Sequence, residues 1–178
     1  MTYPQRKYPR LKDYDYSQPG YYYVTIHTAE PSLRLSMVGW GLAPAEVQVR
    51  LTGYGRIART QLLKLSQQFP NVRIDKYVIM PTHIHVIVVM EEDPVGASPR
   101  PTLMDVVRVY KSKTTRECNK VFGTPGKKLF QTSFYENVLR NEKAYQKCWR
   151  YIDENPRNWL LEPEEKEDDR WGQAPTLR

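Results

Sequence analysis

Residues 80–90, Met-Pro-Thr-His-Ile-His-Val-Ile-Val-Val-Met, decide the fold because they combine a core strand with two imidazoles. The run is short, rich in Val and Ile, and bounded by a proline and by the acidic residues 91–93, which predicts a strand buried on both faces. Side chains alternate along a strand, so His83 and His85 point to the same face. Two neutral imidazoles on one face can share a metal ion. Two solvated or hydrogen-bonded histidines are the alternative that an isolated His-x-His leaves open.

The composition of the 178-residue chain suits one basic domain with an ample core. Its net charge is +7, its pI is near 9.4, and it has 13 tyrosines. Residues 161–178 hold six acids and three bases, so this tail carries −3 and the rest of the chain +10. A basic body predicts a polyanionic partner, nucleic acid first, and tyrosine rings can stack on bases. A basic protein without such a partner is the alternative.

The cysteine pattern and the hydropathy indicate the cellular compartment that we expect for the protein. Cys118 and Cys148 belong to no Cys-x-x-Cys cluster, which predicts structural thiols in a reducing environment and argues against zinc-finger chemistry. No stretch has the length of a membrane-spanning helix, and the N-terminus lacks the apolar core of a secretory signal. We therefore expect a cytoplasmic protein with no membrane partner.

The order of the predicted elements indicates an α+β fold. Residues 1–20 are a basic, tyrosine-rich arm without a core of its own, and the acidic tail follows residue 160. Between them we predict strands at 21–26, 33–39, 46–52 and 72–79, the His-x-His strand within 80–90, and a strand at 129–140, with helices at 56–69, 103–120 and from 141 to about 155. The two short connections, 40–45 and 80–82, predict antiparallel hairpins. The result is a single domain with a mainly antiparallel central sheet and helices covering a face.

The helix predicted at 103–120 has one apolar and one basic side. Thr102 is its expected N-cap, and Leu103, Val106, Val107 and Tyr110 form its buried side. The outer side is basic and hydroxyl-bearing with few carboxylates, which favours contact with phosphates over a merely solvated face. Arg108, Thr115 and Asn119 are expected on this outer side, and Lys111 and Arg116 flank it.

The last predicted helix carries Tyr151 and Asn155, which share a face because they are four residues apart. We expect both to lie beside the packing stripe of this helix, and we expect the helix to end near residue 155 because Pro156 follows. A tyrosine hydroxyl is a weak nucleophile, yet it can attack phosphorus when a divalent cation withdraws charge from the phosphate. Asn155 offers an oxygen ligand that complements the two imidazoles.

The other aromatic residues of this region are assigned to packing. Tyr145, Trp149 and Trp159 are expected to pack against the body, and Tyr135 to lie in a strand.

The combination of Met80-Pro-Thr-His-Ile-His85 with Tyr151-Ile-Asp-Glu-Asn155-Pro156 resembles the HUH single-tyrosine transposases, and within them the REP-associated tyrosine transposases. Supporting segments are Tyr22-Tyr-Val-Thr-Ile26, Tyr110-Lys-Ser-Lys113 and the stretch from Phe130 to Arg140. Thr82 and Phe130 stand where the family usually has Asn and Trp. The resemblance implies the ferredoxin-like, RRM-like HUH fold over residues 21–160, with both histidines on a central strand.

The same resemblance implies metal-dependent nicking and rejoining of single-stranded DNA. Tyr151 would attack the scissile phosphate and form a 5′-phosphotyrosine, while His83, His85 and Asn155 would hold Mg²⁺ or Mn²⁺. The expected partners are hairpins of repetitive extragenic palindromes, bound by a monomer. The expected DNA contacts are Arg108, Lys111, Thr115, Arg116, Asn119 and Arg140.

Three alternatives stay open at this point. A domesticated protein of the same fold would bind DNA or RNA hairpins without mobilising DNA. A replication-initiator nickase shares the chemistry, but no helicase or relaxase extension is visible in the sequence. A zinc-binding structural domain is disfavoured because Cys and His are too few.

Overall fold

A computed structural model of the chain describes residues 10–11, 13–43, 46–92 and 100–161. Within these ranges the chain forms six strands and four helices. In order they are β1 (Gly20–His27), β2 (Ser36–Trp40), β3 (Val47–Leu51), α1 (Gly53–Leu63), α2 (Leu65–Gln68), β4 (Val72–Ile79), β5 (His83–Met90), α3 (Leu103–Phe122), β6 (Tyr135–Leu139) and α4 (Glu142–Leu161).

The strands form one four-stranded sheet and one separate hairpin. The sheet has the order β4-β5-β1-β6 with every neighbouring pair antiparallel, and β2 pairs with β3 alone. Both predicted hairpins are present, β2–β3 and β4–β5, the second closed by residues 80–82. The predicted single α+β domain with a mainly antiparallel sheet is therefore confirmed.

Helices cover both faces of the sheet, because β1 and β5 are apolar on both faces. Tyr22, Val24 and Val86 belong to the core beneath α1 and α3. On the opposite face Tyr23 and Ile87 pack against the third large helix, α4, in a smaller cluster. The prediction of helices packed on the sheet is confirmed. The two-sided alternation of β1 and β5 explains why both faces are covered, since each side of the sheet needs its own cover.

Helix α3 begins and ends as its sequence predicts. The Thr102 hydroxyl accepts a hydrogen bond from the Asp105 N–H, and the Asp105 carboxylate accepts one from the Thr102 N–H, which completes a capping box. The helix ends at Gly123, whose φ of 64° is left-handed. All four predicted core residues of this helix are buried, Tyr110 among them.

Helix α4 corrects one prediction. It was expected to end near Asn155, but it continues through Pro156 to Leu161. A proline inside a helix removes one backbone hydrogen bond and crowds the preceding turn, at a cost of about 3 kcal/mol. Burial on both sides of the proline offsets this cost, since Ile152 and Asn155 are buried and Trp159 is half-buried.

The last predicted strand and the first predicted helix are also shorter than expected. Residues 129–140 were predicted as one strand, but β6 occupies only Tyr135–Leu139, preceded by an isolated bridge between Thr28 and Phe130. The Lys111 ammonium donates hydrogen bonds to the carbonyls of Gln131 and Thr132, which occupies acceptors that a longer strand could use in its ladder. The helix predicted at 56–69 is divided into α1 and α2.

Part of the N-terminal arm packs on the body. Tyr16 is buried and donates a hydrogen bond to Glu136 at 2.9 Å, and Tyr14 packs against the same core.

Both cysteines are buried free thiols, as predicted. None of the helices in the described ranges is long and apolar enough to span a membrane. Residues 1–9 and the acidic tail beyond Leu161 lie outside the described residues.

Candidate active site

The two histidines of β5 lie side by side on the face covered by α4. Their ring centroids are 4.5 Å apart. His83 is half-buried at the beginning of the strand, and His85, two residues further in, is 5% exposed. The predicted common orientation of the two rings therefore holds, and the pair opens toward one end of the sheet.

His85 is held on one side of its ring and has no partner on the other. Its Nδ1 lies 2.7 Å from the Tyr23 hydroxyl and 3.0 Å from the Thr25 hydroxyl. Its Nε2 is buried and has no hydrogen-bond partner among the described residues. Burial, reinforced by the nearby charges of His83 and His27, holds the pKa of His85 well below its ordinary value. His85 is therefore a neutral imidazole with a buried, unused nitrogen.

Helix α4 places Tyr151 beside His85. The ring centroid of Tyr151 is 5.3 Å from that of His85 and 6.3 Å from that of Tyr23. The helix is held there by Ala144, Cys148 and Ile152, which are buried in the cluster beneath it. Tyr151 is half-buried beside this stripe, as predicted. The predicted nucleophile and one predicted metal ligand are thus neighbours across the sheet surface.

Asn155 lies one turn after Tyr151 and is 8% exposed. Its predicted position is beside the packing stripe, but in the structure it continues the buried line of the helix. The reason is that α4 does not end at Pro156, so the turn that carries Asn155 stays against the body. Its carboxamide is therefore a buried polar group on the covered face of α4.

Several residues around the histidine pair are not among the predicted site residues. The register of β1 against β5 sets His27 opposite His83 and Thr25 opposite His85. The ring centroids of His27 and His83 are 5.4 Å apart. The alternation Tyr23-x-Thr25-x-His27 was the available signal, because it matches the alternation of His83 and His85 once the two strands are paired.

Further rings surround the pair. Trp159, assigned to packing, has its ring centroid 5.9 Å from that of His83, so it lines the site. Tyr135 lies in β6 as predicted, with its ring centroid 6.1 Å from that of His27.

The other two aromatic residues assigned to packing lie elsewhere on α4. Tyr145 is half-buried and donates a hydrogen bond to Asp75 at 2.7 Å. Trp149, expected to pack, is 38% exposed and lies beneath the Lys76 ammonium.

One feature of the site fits a divalent cation, namely a histidine nitrogen that is available as a ligand. The Nε2 of His85 is a buried nitrogen with no hydrogen-bond partner in the part of the chain that the structure describes, so its lone pair is available to a metal. The described part of the chain has no cluster of three or more His, Cys, Asp and Glu side chains suited to a metal. A cation at this site would therefore depend on His83, His85 and the Asn155 carboxamide, completed by oxygen atoms of substrate and water.

The predicted DNA contacts divide between a groove and two separate positions. Lys111, Thr115, Arg116 and Asn119 line a groove of about 610 Å³ between α3 and residues 125–130. Arg108 lies earlier on α3 and is paired with Asp105 at 2.7 Å, and the exposed Arg140 directly follows β6. The groove is cationic, since Lys120 and Lys128 also line it.

Two of the groove residues also hold the loop that forms its wall. Lys111 donates to the carbonyl of Thr132 at 2.8 Å, and Asn119 donates to that of Lys127 at 3.0 Å. Burial lowers the pKa of Lys111. The N–H of Gln131 donates to the His27 carbonyl at 3.0 Å, so this loop is joined to the strand that borders the histidine pair.

Comparison with known proteins agrees with the architecture. No protein-family model matches the sequence. An uncharacterised protein of Haemophilus influenzae strain Rd is 28% identical over an alignment of 172 positions, which covers 86% of this chain and 89% of that protein. The structure is similar to that of a REP-associated tyrosine transposase bound to a REP hairpin, with a TM-score of 0.61 and 21% identity over 84% of this chain and 73% of the other. The chain therefore has the fold of a REP-associated tyrosine transposase, as the sequence resemblance predicted.

Proposed function

We propose that this protein is a transposase-like HUH enzyme that nicks and rejoins single-stranded DNA with Tyr151 as its nucleophile. The observation that carries the proposal is the approach of the Tyr151 ring to the His85 ring, with centroids 5.3 Å apart on the covered face of the sheet. The two residues are 66 positions apart in the sequence, so no local packing rule requires their approach. The shared fold with a transposase supports the same reading.

The chemistry follows from the groups at the site. The Tyr151 oxygen attacks the scissile phosphorus, loses its proton, and forms a phosphoester bond to the 5′ side of the break. The bond from phosphorus to the 3′-oxygen is broken, and this oxygen takes up a proton to leave as a 3′-OH. Attack by the same or another 3′-OH on the phosphotyrosine reverses both bond changes and rejoins DNA without ATP.

The remaining residues bind and orient. His83, His85 and Asn155 would hold Mg²⁺ or Mn²⁺, which when bound withdraws charge from the phosphate. The burial of His85 keeps its imidazole neutral, so its nitrogen lone pair stays available near neutral pH. Trp159 borders His83, with ring centroids 5.9 Å apart.

The proposed substrate is a DNA hairpin of the repetitive extragenic palindrome class, acted on by a monomer. The similar transposase structure contains a REP hairpin, and the cationic groove along α3 suits a phosphate backbone. The expected stoichiometry is one protein per hairpin, which light scattering of the purified complex measures directly. A complex with two protein chains would refute the monomer.

The decisive experiment is adduct formation on a labelled single-stranded hairpin in the presence of Mg²⁺. We expect a covalent protein–DNA band for the wild type and none for Tyr151→Phe. Tyr145→Phe is the matched control, because it removes a hydroxyl from the same helix that is bound to Asp75 and not to the site. Adduct formation in Tyr151→Phe equal to that in the control would refute Tyr151 as the nucleophile.

A second candidate function is hairpin binding without cleavage, and the groove favours it because its cations lie apart from the histidine pair. Arg116→Ala should weaken DNA binding and lower the slope of log affinity against log salt by about one. Lys113→Ala on the same helix is the control, since Lys113 is exposed outside the groove lining. Tight binding combined with no adduct in any variant would support this second function over the first.

A further inference from the structure

We propose that Tyr23 and Thr25 form a hydroxyl clamp that orients the His85 imidazole so that its Nε2 faces the metal. The inference rests on the proposed function, because it assigns positioning residues to the same site. Both clamp residues lie on β1, and neither belongs to the predicted set of catalytic residues or ligands. Their role follows from the contacts of a single ring nitrogen.

The geometry of the clamp is two hydroxyls on one atom. The Tyr23 and Thr25 hydroxyl oxygens lie 2.7 Å and 3.0 Å from the Nδ1 of His85. Thr25 is directly opposite His85 in the β1–β5 register, and Tyr23 is two residues earlier on the same face. Because two fixed strands carry the three groups, the imidazole cannot rotate without losing both contacts.

The burial of the clamp makes these contacts costly to lose. Tyr23 is 1% exposed, Thr25 6% and His85 5%, so water cannot replace a lost partner. The Tyr23 ring is also stacked on the His85 ring, with centroids 5.6 Å apart and an angle of 18° between the planes. Stacking fixes the plane of the imidazole, and the hydroxyls fix which edge of the ring, Nδ1 or Cδ2, faces β1.

The protonation that a metal needs is compatible with the clamp. Binding through Nε2 requires a lone pair on that atom, so the ring proton must be on Nδ1. The two hydroxyl oxygens are acceptors within hydrogen-bond distance of this proton. Histidine ligands commonly donate their second ring N–H to a fixed acceptor, and removing that acceptor weakens metal binding by about 10–100-fold.

Tyr23 connects the clamp to the nucleophile. Its ring lies edge-to-face with the Tyr151 ring, with centroids 6.3 Å apart. A change of Tyr23 to phenylalanine therefore removes the hydroxyl from His85 while keeping the ring against Tyr151. This substitution therefore tests the clamp without removing the ring that contacts the nucleophile.

The test compares Tyr23→Phe, Thr25→Val and the double variant with Tyr22→Phe. Tyr22 is the matched control, because it is a buried tyrosine of the same strand whose hydroxyl donates to the Gln18 carbonyl at 2.7 Å on the opposite face. Mn²⁺ affinity measured by calorimetry should fall about 10–100-fold in the double variant and stay within about twofold in the control. Excess Mn²⁺ should restore DNA adduct formation in Tyr23→Phe.

A second measurement determines the tautomer of the His85 imidazole in the metal-free protein. The chain has only three histidines, so nitrogen–proton correlation spectra of the ring atoms identify His85 by its loss in His85→Gln. In the metal-free wild type at pH 8 we expect the proton on Nδ1, and in the double variant a mixture of both tautomers. Amide spectra report whether each variant is folded.

The outcomes separate the clamp from the proposed function. The clamp is refuted if the double variant binds Mn²⁺ as tightly as Tyr22→Phe, or if the wild-type proton is on Nε2. Failure of every protein, wild type included, to bind Mn²⁺ contradicts the metal-dependent function, while the tautomer still decides the clamp. Loss of fold in the double variant leaves Tyr23→Phe and Thr25→Val to decide the Mn²⁺ comparison.

Discussion

The buried neutral state of His85 predicts a loss of stability in mild acid that one substitution should remove. Its pKa is held well below the ordinary value, chiefly by burial, whereas in the unfolded chain it returns to about 6.5. Below that pH the unfolded state binds a proton that the folded state does not bind. Stability is therefore complete above the unfolded pKa and falls as the pH decreases.

The size of the effect follows from linkage. While His85 stays neutral in the folded protein, unfolding gains nearly one proton per molecule below pH 6, which corresponds to about 1.4 kcal/mol per pH unit. Between pH 7.5 and 5.5 the accumulated loss is about 1.4 kcal/mol, since the unfolded side chain is about half protonated on average over this range.

The assay is urea denaturation of the wild type and His85→Gln at pH 7.5, 6.5 and 5.5 in the presence of a chelator. Glutamine can still meet the hydroxyls of Tyr23 and Thr25 but does not titrate. We expect the difference in unfolding free energy between the two proteins to shift by about 1.4 kcal/mol in favour of the variant as the pH falls. A difference that stays constant across the three pH values would refute the buried neutral imidazole.

Three further predictions concern the framework that carries the site. Thr102→Ala should destabilise the protein by about 1 kcal/mol through loss of the α3 capping box, and Thr102→Ser should keep most of it, as measured by urea denaturation. Pro156→Ala should raise the unfolding free energy by about 1–3 kcal/mol because α4 is helical on both sides of this residue, and a destabilised variant would contradict that reasoning. Burial raises the pKa of both Cys118 and Cys148 to about 11, so at pH 8 a disulfide reagent should label neither thiol until denaturant is added, and rapid labelling of the native protein would show an exposed thiolate.

The sequence predicted those parts of the fold that depend on local periodicity and local hydrogen bonds. The period of two in residues 80–90 places His83 and His85 on one face whatever the neighbouring strands are. The N-cap of α3 is recognisable because Thr102 bonds to groups only three residues away. The separation of four between Tyr151 and Asn155 likewise requires only that a helix form there.

The errors in the prediction come from contacts that are distant in the sequence. Pro156 was expected to end α4 on local grounds, but the burial of Ile152 and Asn155 beside it keeps the helix intact. The segment before β6 has a strand-like composition, yet the Lys111 side chain donates hydrogen bonds to the carbonyls of Gln131 and Thr132. Neither contact is visible in the pattern of the segment itself.

The sequence by itself determined that this protein has paired imidazoles on a core strand, a tyrosine one helical turn before an asparagine, and a basic surface. Only the tertiary structure decided that Tyr23 and Thr25 meet the Nδ1 of His85, that His27 lies beside His83, and that Tyr151 reaches the pair. The Tyr23–His85 contact joins residues 62 positions apart. Alternation along a strand sets the face of a side chain, but the choice of neighbouring strand and its register are set by burial of the whole sheet.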